Sequence, residues 1–129
     1  RFTRAIWALV NSARKLGLRS TGSAGGSHNL VVKSDGPDLA GMLKRLRRGF
    51  LVTEMLGQGT NLLTGDYSRG AAGYWVENGE IAYPVEEVTV AGNLKDMFRG
   101  ISAVGSDEVL RGAYRCGSIL VENMTIAGN

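Results

Sequence analysis

Residues 74–83 read YWVENGEIAY, and no other stretch limits the fold so tightly. Asn78-Gly79 is the preferred pair for a two-residue type I′ turn, because both central positions need positive φ. Such a turn forces its flanks into an antiparallel ribbon and sets their register. Counting outward, Glu77 faces Glu80, Val76 faces Ile81 and Tyr74 faces Tyr83. Like charges opposite one another are tolerable only in water, so the turn is expected to be exposed. Pro84 lacks a backbone donor and belongs at a ladder end or a sheet edge.

A second feature extends the ribbon. Residues 85–93 read VEEVTVAGN and residues 121–129 read VENMTIAGN. In each copy the apolar residues at the fourth and sixth places (Val88 and Val90; Met124 and Ile126) point one way, and Thr and Ala point the other. A Gly-Asn pair ends each. This is one strand pattern written twice, fit for equivalent places in one antiparallel sheet. It is either a trace of internal duplication or a shared strand-and-turn grammar. Nothing between the copies repeats, so the chain is no solenoid.

The front of the chain reads differently. Ile6, Leu9, Val10, Ala13 and Leu16 recur at helical spacing, which predicts a helix over 4–16 with Thr3 as cap and Gly17 as stop. A Gly/Ser loop follows, then a short strand at 30–33. Asp38 is placed to cap a second helix, in which Leu39, Met42, Leu43 and Leu46 share a face and Gly49 is the stop. Residues 50–56 read as a strand. Beyond the ribbon, Asn93 can cap a short helix at 94–99. Residues 101–105 read as a strand, 106–117 are mixed, and 118–126 read as one last strand. The fold class is α+β: a β-rich antiparallel sheet framework with two N-terminal helices and one short helix.

The 129 residues suffice for one domain or a fragment of a larger one (1–129). The first residue is not Met, so the chain is expected to be the back part of a longer protein. Nineteen glycines with only two prolines exclude collagen and point to turns and close backbone approaches. One cysteine excludes an internal disulfide and fits a reducing compartment. No apolar run is long enough to span a membrane.

The net charge of +3 is concentrated in Lys44-Arg45-Leu46-Arg47-Arg48. A basic cluster can mark nucleic acid. Here it closes a helix, where cations meet the negative end of the dipole, so nucleic acid is disfavoured. Chemistry-bearing residues are sparse. His28 is the only histidine, so a two-histidine zinc helix is absent from this chain. His28 and Cys116 form a conceivable nucleophile pair, but the surroundings of Cys116 suit a structural thiol. The glycines at 57 and 59 lack the third glycine and the lysine of a phosphate loop. No two of Asp66, Glu77, Glu86 and Glu87 pair for acid–base work. GDYSRG at 65–70 is either a binding loop or a bulged strand start. No catalytic, cofactor-binding or metal residue is assigned.

Three stretches carry a resemblance: NSARKLGLRSTGSAGGSHNL, LVTEMLGQGTNLLTGDYSRGAAGYWVENGEIAYPVEEVTVAGNLKDMF and GSILVENMTIAGN. Together they resemble the C-terminal part of the TldD/PmbA family of bacterial metallopeptidases, on its PmbA-like (TldE) side. The resemblance implies cytoplasmic two-part proteins with a β-rich C-terminal half. It implies TldD-like partners in heterodimers, or homodimers, acting on unfolded peptides in peptide maturation and turnover. An older family label is modulator of DNA gyrase. Zinc is expected in a TldD-like partner, held by an HExxxH helix and a cysteine. That helix is not found here, and Cys116 lies too near the closing strand to match the family's ligand. The chain is thus expected to be noncatalytic alone, and VENMTIAGN to be a natural C-terminus. The alternatives are an independent Cys/His enzyme and a basic nucleic-acid-associated module.

Overall fold

A computed structural model describes Gly17 and residues 29–128. The helix expected over 4–16 and His28 lie outside the described residues. Nine strands and two helices follow in order: β1 (Leu30–Val31), α1 (Leu39–Leu46), β2 (Gly49–Leu56), β3 (Asp66–Glu77), β4 (Glu80–Asn93), α2 (Leu94–Arg99), β5 (Ile101–Val104), β6 (Val109–Arg111), β7 (Tyr114–Cys116), β8 (Ile119–Val121) and β9 (Thr125–Ala127). They form a four-stranded sheet β2-β3-β4-β9, a three-stranded sheet β1-β7-β6 and a two-stranded sheet β5-β8. The framework is antiparallel and β-rich as expected, except that β1 pairs in parallel with β7.

The Asn-Gly ribbon dominates. Asn78 and Gly79 hold φ of 53° and 78°, and the pairs Glu77↔Glu80 and Val76↔Ile81 form as counted. The next expected pair does not. Trp75 pairs with Tyr83, and Tyr74 with Pro84. Ala82 is the extra residue of a bulge, which inverts the alternation that the sequence count relied on. The turn also departs from full exposure. Glu77 and Glu80 stand in solvent, but Gly79 is buried and donates its N–H to the carbonyl of Arg47 at 2.9 Å. A Cβ there would lie 3.0 Å from Lys44 Cα, so the turn seats on the end of α1. Pro84 sits where β9 does not reach, since β9 pairs only with Thr89–Ala91. It is on an edge, as its missing donor requires.

Other boundaries follow local chemistry. Asp38 accepts from the N–H of Gly41 and starts α1, and Asn93 accepts from Lys95 and starts α2. The stop of α1 is not Gly49. Arg47 turns left-handed (φ 59°) with its N–H on Leu43 O, and Gly49 already begins β2. Residues 109–116, unassigned from sequence, are a small hairpin. The last strand is two strands: β8 pairs with β5, and β9 crosses to β4. The break lies at Asn123, whose φ is 60°.

The buried apolar cluster of the main sheet is Ala71, Val88 and Val90, with Phe50, Met55, Val85 and Met124 packed on it. The first copy of the repeat thus buries its apolar face, while in the second Met124 packs on the cluster and Ile126 is exposed. Gly73 permits the sheet to close at a second bulge. A Cβ on it would collide with the carbonyl oxygen of Leu51, so only glycine allows β2 and β3 to approach there.

Candidate functional site

The helical stripe of α1 does not close against another helix among the described residues. It faces the main sheet across an open groove of about 810 Å³. Leu39, Met42, Leu43 and Leu46 line it from α1, Phe50, Val52 and Val90 from β2 and β4, and Leu120, Val121 and Ile126 from β8 and β9. All four methionines of the sequence, Met42, Met55, Met97 and Met124, line it. They arrive from α1, β2, α2 and the β8–β9 break, so no single element's pattern reveals them. Methionine is unbranched and polarizable, and it adapts to partners of varied shape. Met42 is buried, while the other three are half-exposed. Arg45, Arg48 and Glu122 supply the polar rim. Arg48 stacks over Trp75, with its guanidinium carbon 6.0 Å from the ring centroid.

Of the residues singled out from sequence, Arg45, Arg48 and Tyr67 line this groove and the others fall elsewhere. Lys44 and Arg45 occupy the last turn of α1, where the helix dipole accounts for them. GDYSRG is mostly strand: Asp66 to Gly70 pair in unbroken register with Asn93 to Thr89. Asp66 accepts from the Thr64 hydroxyl at 2.6 Å, which leaves no free loop to close on a ligand. Glu86 and Glu87 are exposed at the bulge of β4.

Cys116 ends β7, and its thiol donates to the Gly117 carbonyl at 3.1 Å. Burial, then the charges of Asp107 and Glu108, push its pKa up. A catalytic or metal-binding sulfur requires the opposite shift. The neighbouring carboxylates are committed. Asp107 accepts from the Ser118 hydroxyl at 2.6 Å and the Ser118 N–H at 3.0 Å. The hydroxyl bond holds its carboxyl below the ordinary range, with burial opposing. Glu108 pairs with Arg115 at 2.6 Å. Among the described residues no three His, Cys, Asp or Glu side chains come together to hold a metal ion. Among the described residues the donors do not fit a zinc centre.

A family model for the PmbA/TldA metallopeptidase C-terminal domain matches residues 8–128. The chain belongs to the PmbA/TldD metallopeptidase family. It is 58% identical to the Metalloprotease PmbA of Escherichia coli O157:H7 over 123 residues, 95% of this chain and 27% of that relative. It is 52% identical to a Metalloprotease PmbA homolog of Haemophilus influenzae over 122 residues, 92% of this chain and 26% of that relative. A crystal structure of a Thermotoga maritima protein, described as a modulator of a DNA gyrase, superposes with a TM-score of 0.78 at 39% identity. The match covers 92% of this chain and 29% of that one. The chain corresponds to a C-terminal portion of PmbA and spans little more than a quarter of these curated relatives. No helix among the described residues is long and apolar enough to cross a membrane.

Proposed function

We propose that this chain is the peptide-holding C-terminal portion of a PmbA-like (TldE-like) subunit that works in the cytoplasm with a TldD-like, zinc-bearing partner. Together they cut unfolded peptides in maturation and turnover. The zinc and the bond-breaking step belong to the partner. This chain contributes an apolar, conformable surface and none of the metal ligands.

The observation that carries this reading is the gathering of all four methionines on one open groove. An unfolded peptide offers apolar side chains in no fixed order, and a surface of flexible thioethers can repack around each. A groove for one fixed ligand would instead need convergent polar groups to orient it. Here Arg45, Arg48, Glu122 and Asn123 are exposed, and the Ser118 hydroxyl is committed to Asp107.

The test reconstitutes the full-length PmbA-type subunit carrying this chain with a TldD-like subunit, and follows cleavage of an unfolded peptide. Met97→Lys and Met124→Lys, each checked for fold by circular dichroism, are expected to lower kcat/KM at least about tenfold, with the loss in KM, as for removal of uniform binding. Unchanged kcat/KM in both folded variants contradicts the reading.

A further inference from the structure

The two copies of the nonapeptide do more than resemble each other. They pair with each other. Thr89 faces Ala127, Val90 faces Ile126 and Ala91 faces Thr125. In repeat positions, five faces seven, six faces six and seven faces five. This is the pattern of a two-fold axis running between Val90 and Ile126.

The side chains obey the same axis. A Cβ on Gly92 would lie 3.2 Å from the Met124 sulfur, and a Cβ on Gly128 would lie 2.6 Å from Val88 Cγ1. Position eight of each copy therefore lies bare beneath position four of the other. The backbone obeys it too. The third position is left-handed in both copies, with φ of 56° at Glu87 and 60° at Asn123. Neither is glycine, so each kink is held against a local cost. The ladder itself is short, three residues, and Thr125, Ile126 and Ala127 are all exposed.

We infer that the Thr89–Ala91 edge of β4 is self-complementary, and that β9 is an intramolecular stand-in for the β4 of a second copy of this chain. Substituting β4 for β9 turns the local pseudo-dyad into a true one. Val90 then faces Val90 of the second copy, and Thr89 faces its Ala91. Val88 replaces Met124 above Gly92, a smaller side chain in a contact that is already tight. Gly92 of the second copy takes the place of Gly128 beneath Val88. At the positions that pair, a second β4 offers the same bare glycine and apolar neighbour as β9, and β-strand addition at an edge is an ordinary route to association. β9 covers this edge and keeps it from pairing between molecules.

Two measurements test the inference. In the first, the full-length protein ending at Asn123, which leaves the edge uncovered, is incubated with a synthetic VEEVTVAGN peptide whose sixth-position valine carries a photoreactive group. Labelling is expected at Thr89, Val90 or Ala91, at least about tenfold above a scrambled peptide. Labelling elsewhere, or no excess over the scramble, overturns the inference. In the second, a chain ending at Asn123 and carrying Cys116→Ser receives single cysteines. Disulfide dimers are expected for Val90→Cys with itself or for Thr89→Cys mixed with Ala91→Cys, the two directly opposed pairs. The same cysteines in the chain retaining β9 are expected to stay uncross-linked. A truncated chain that folds and stays monomeric overturns the inference, as does one that cross-links equally well through Val52→Cys on the opposite edge.

Discussion

The ribbon of β3 and β4 and the run from β5 to β9 are built from the same kinds of residues, yet they hold together differently. The ribbon strands are 12 and 14 residues long, joined by two residues. The later strands are three or four residues long and are spread over all three sheets. In the ribbon, adjacent residues along the chain set the register. In the tail, single side chains act as staples. Asp107 ties Ser118 back across 11 positions, and Asp35 holds the N–H of Val104 across 69. A long ladder tolerates bulges because many pairs remain. A three-residue ladder has no such reserve.

The ribbon is most vulnerable at Gly73. Replacement by valine drives a side chain into the Leu51 carbonyl and should cost about 4 kcal/mol, at the top of the range for point substitutions. Urea unfolding reads this, and a cost below about 1 kcal/mol would mean that the two strands can part locally without penalty. The staple comes next. Asp107→Ala removes two hydrogen bonds to a carboxylate and should cost about 2 kcal/mol, with hydrogen exchange rising in β5 and β8 but not in β3.

The same carboxylate gives the tail a pH dependence. Its folded pKa lies below the ordinary value, so the unfolded chain takes up the proton first as pH falls. Its stabilising contribution is complete above the unfolded value of about 3.9 and is lost as pH falls from there through the lower folded value. Exchange in β5 and β8 should therefore rise below about pH 4, and Asp107→Asn should abolish that step. A smaller effect sits at the ribbon turn. Asn78→Ala keeps the register and costs about 1 kcal/mol, because alanine resists the left-handed conformation. The smallest concerns Cys116. Its raised pKa makes it slower to alkylate than an exposed thiol at the same pH, and its modification should leave peptide cleavage unchanged.

The same contrast explains what could be read before the fold was seen. The turn at Asn78-Gly79, the caps at Asp38 and Asn93 and the inward face of Val88 and Val90 each depend on residues within a few positions of one another, and all are found. The bulge at Ala82 is invisible in sequence, because one extra residue inverts the side-chain alternation without altering composition. The split of the last strand at Asn123 depends on two different sheets competing for residues 119–127. The repeat was visible, but its self-pairing was not, since pairing partners are set by the path of the chain between them. The groove was half readable. The stripe of α1 showed an apolar face, but nothing local joined Met55, Met97 and Met124 to it.

The central claim is that the methionine-lined groove receives unfolded peptide. Methyl-labelled methionine in the full-length subunit gives an NMR signal for each of the four residues on that groove. Titration with an unfolded peptide containing apolar residues should shift the methyls of Met55, Met97 and Met124 together, and Met42 less because it is buried, with a single apparent affinity. Four unmoved methyl signals while the peptide is demonstrably bound would contradict the account.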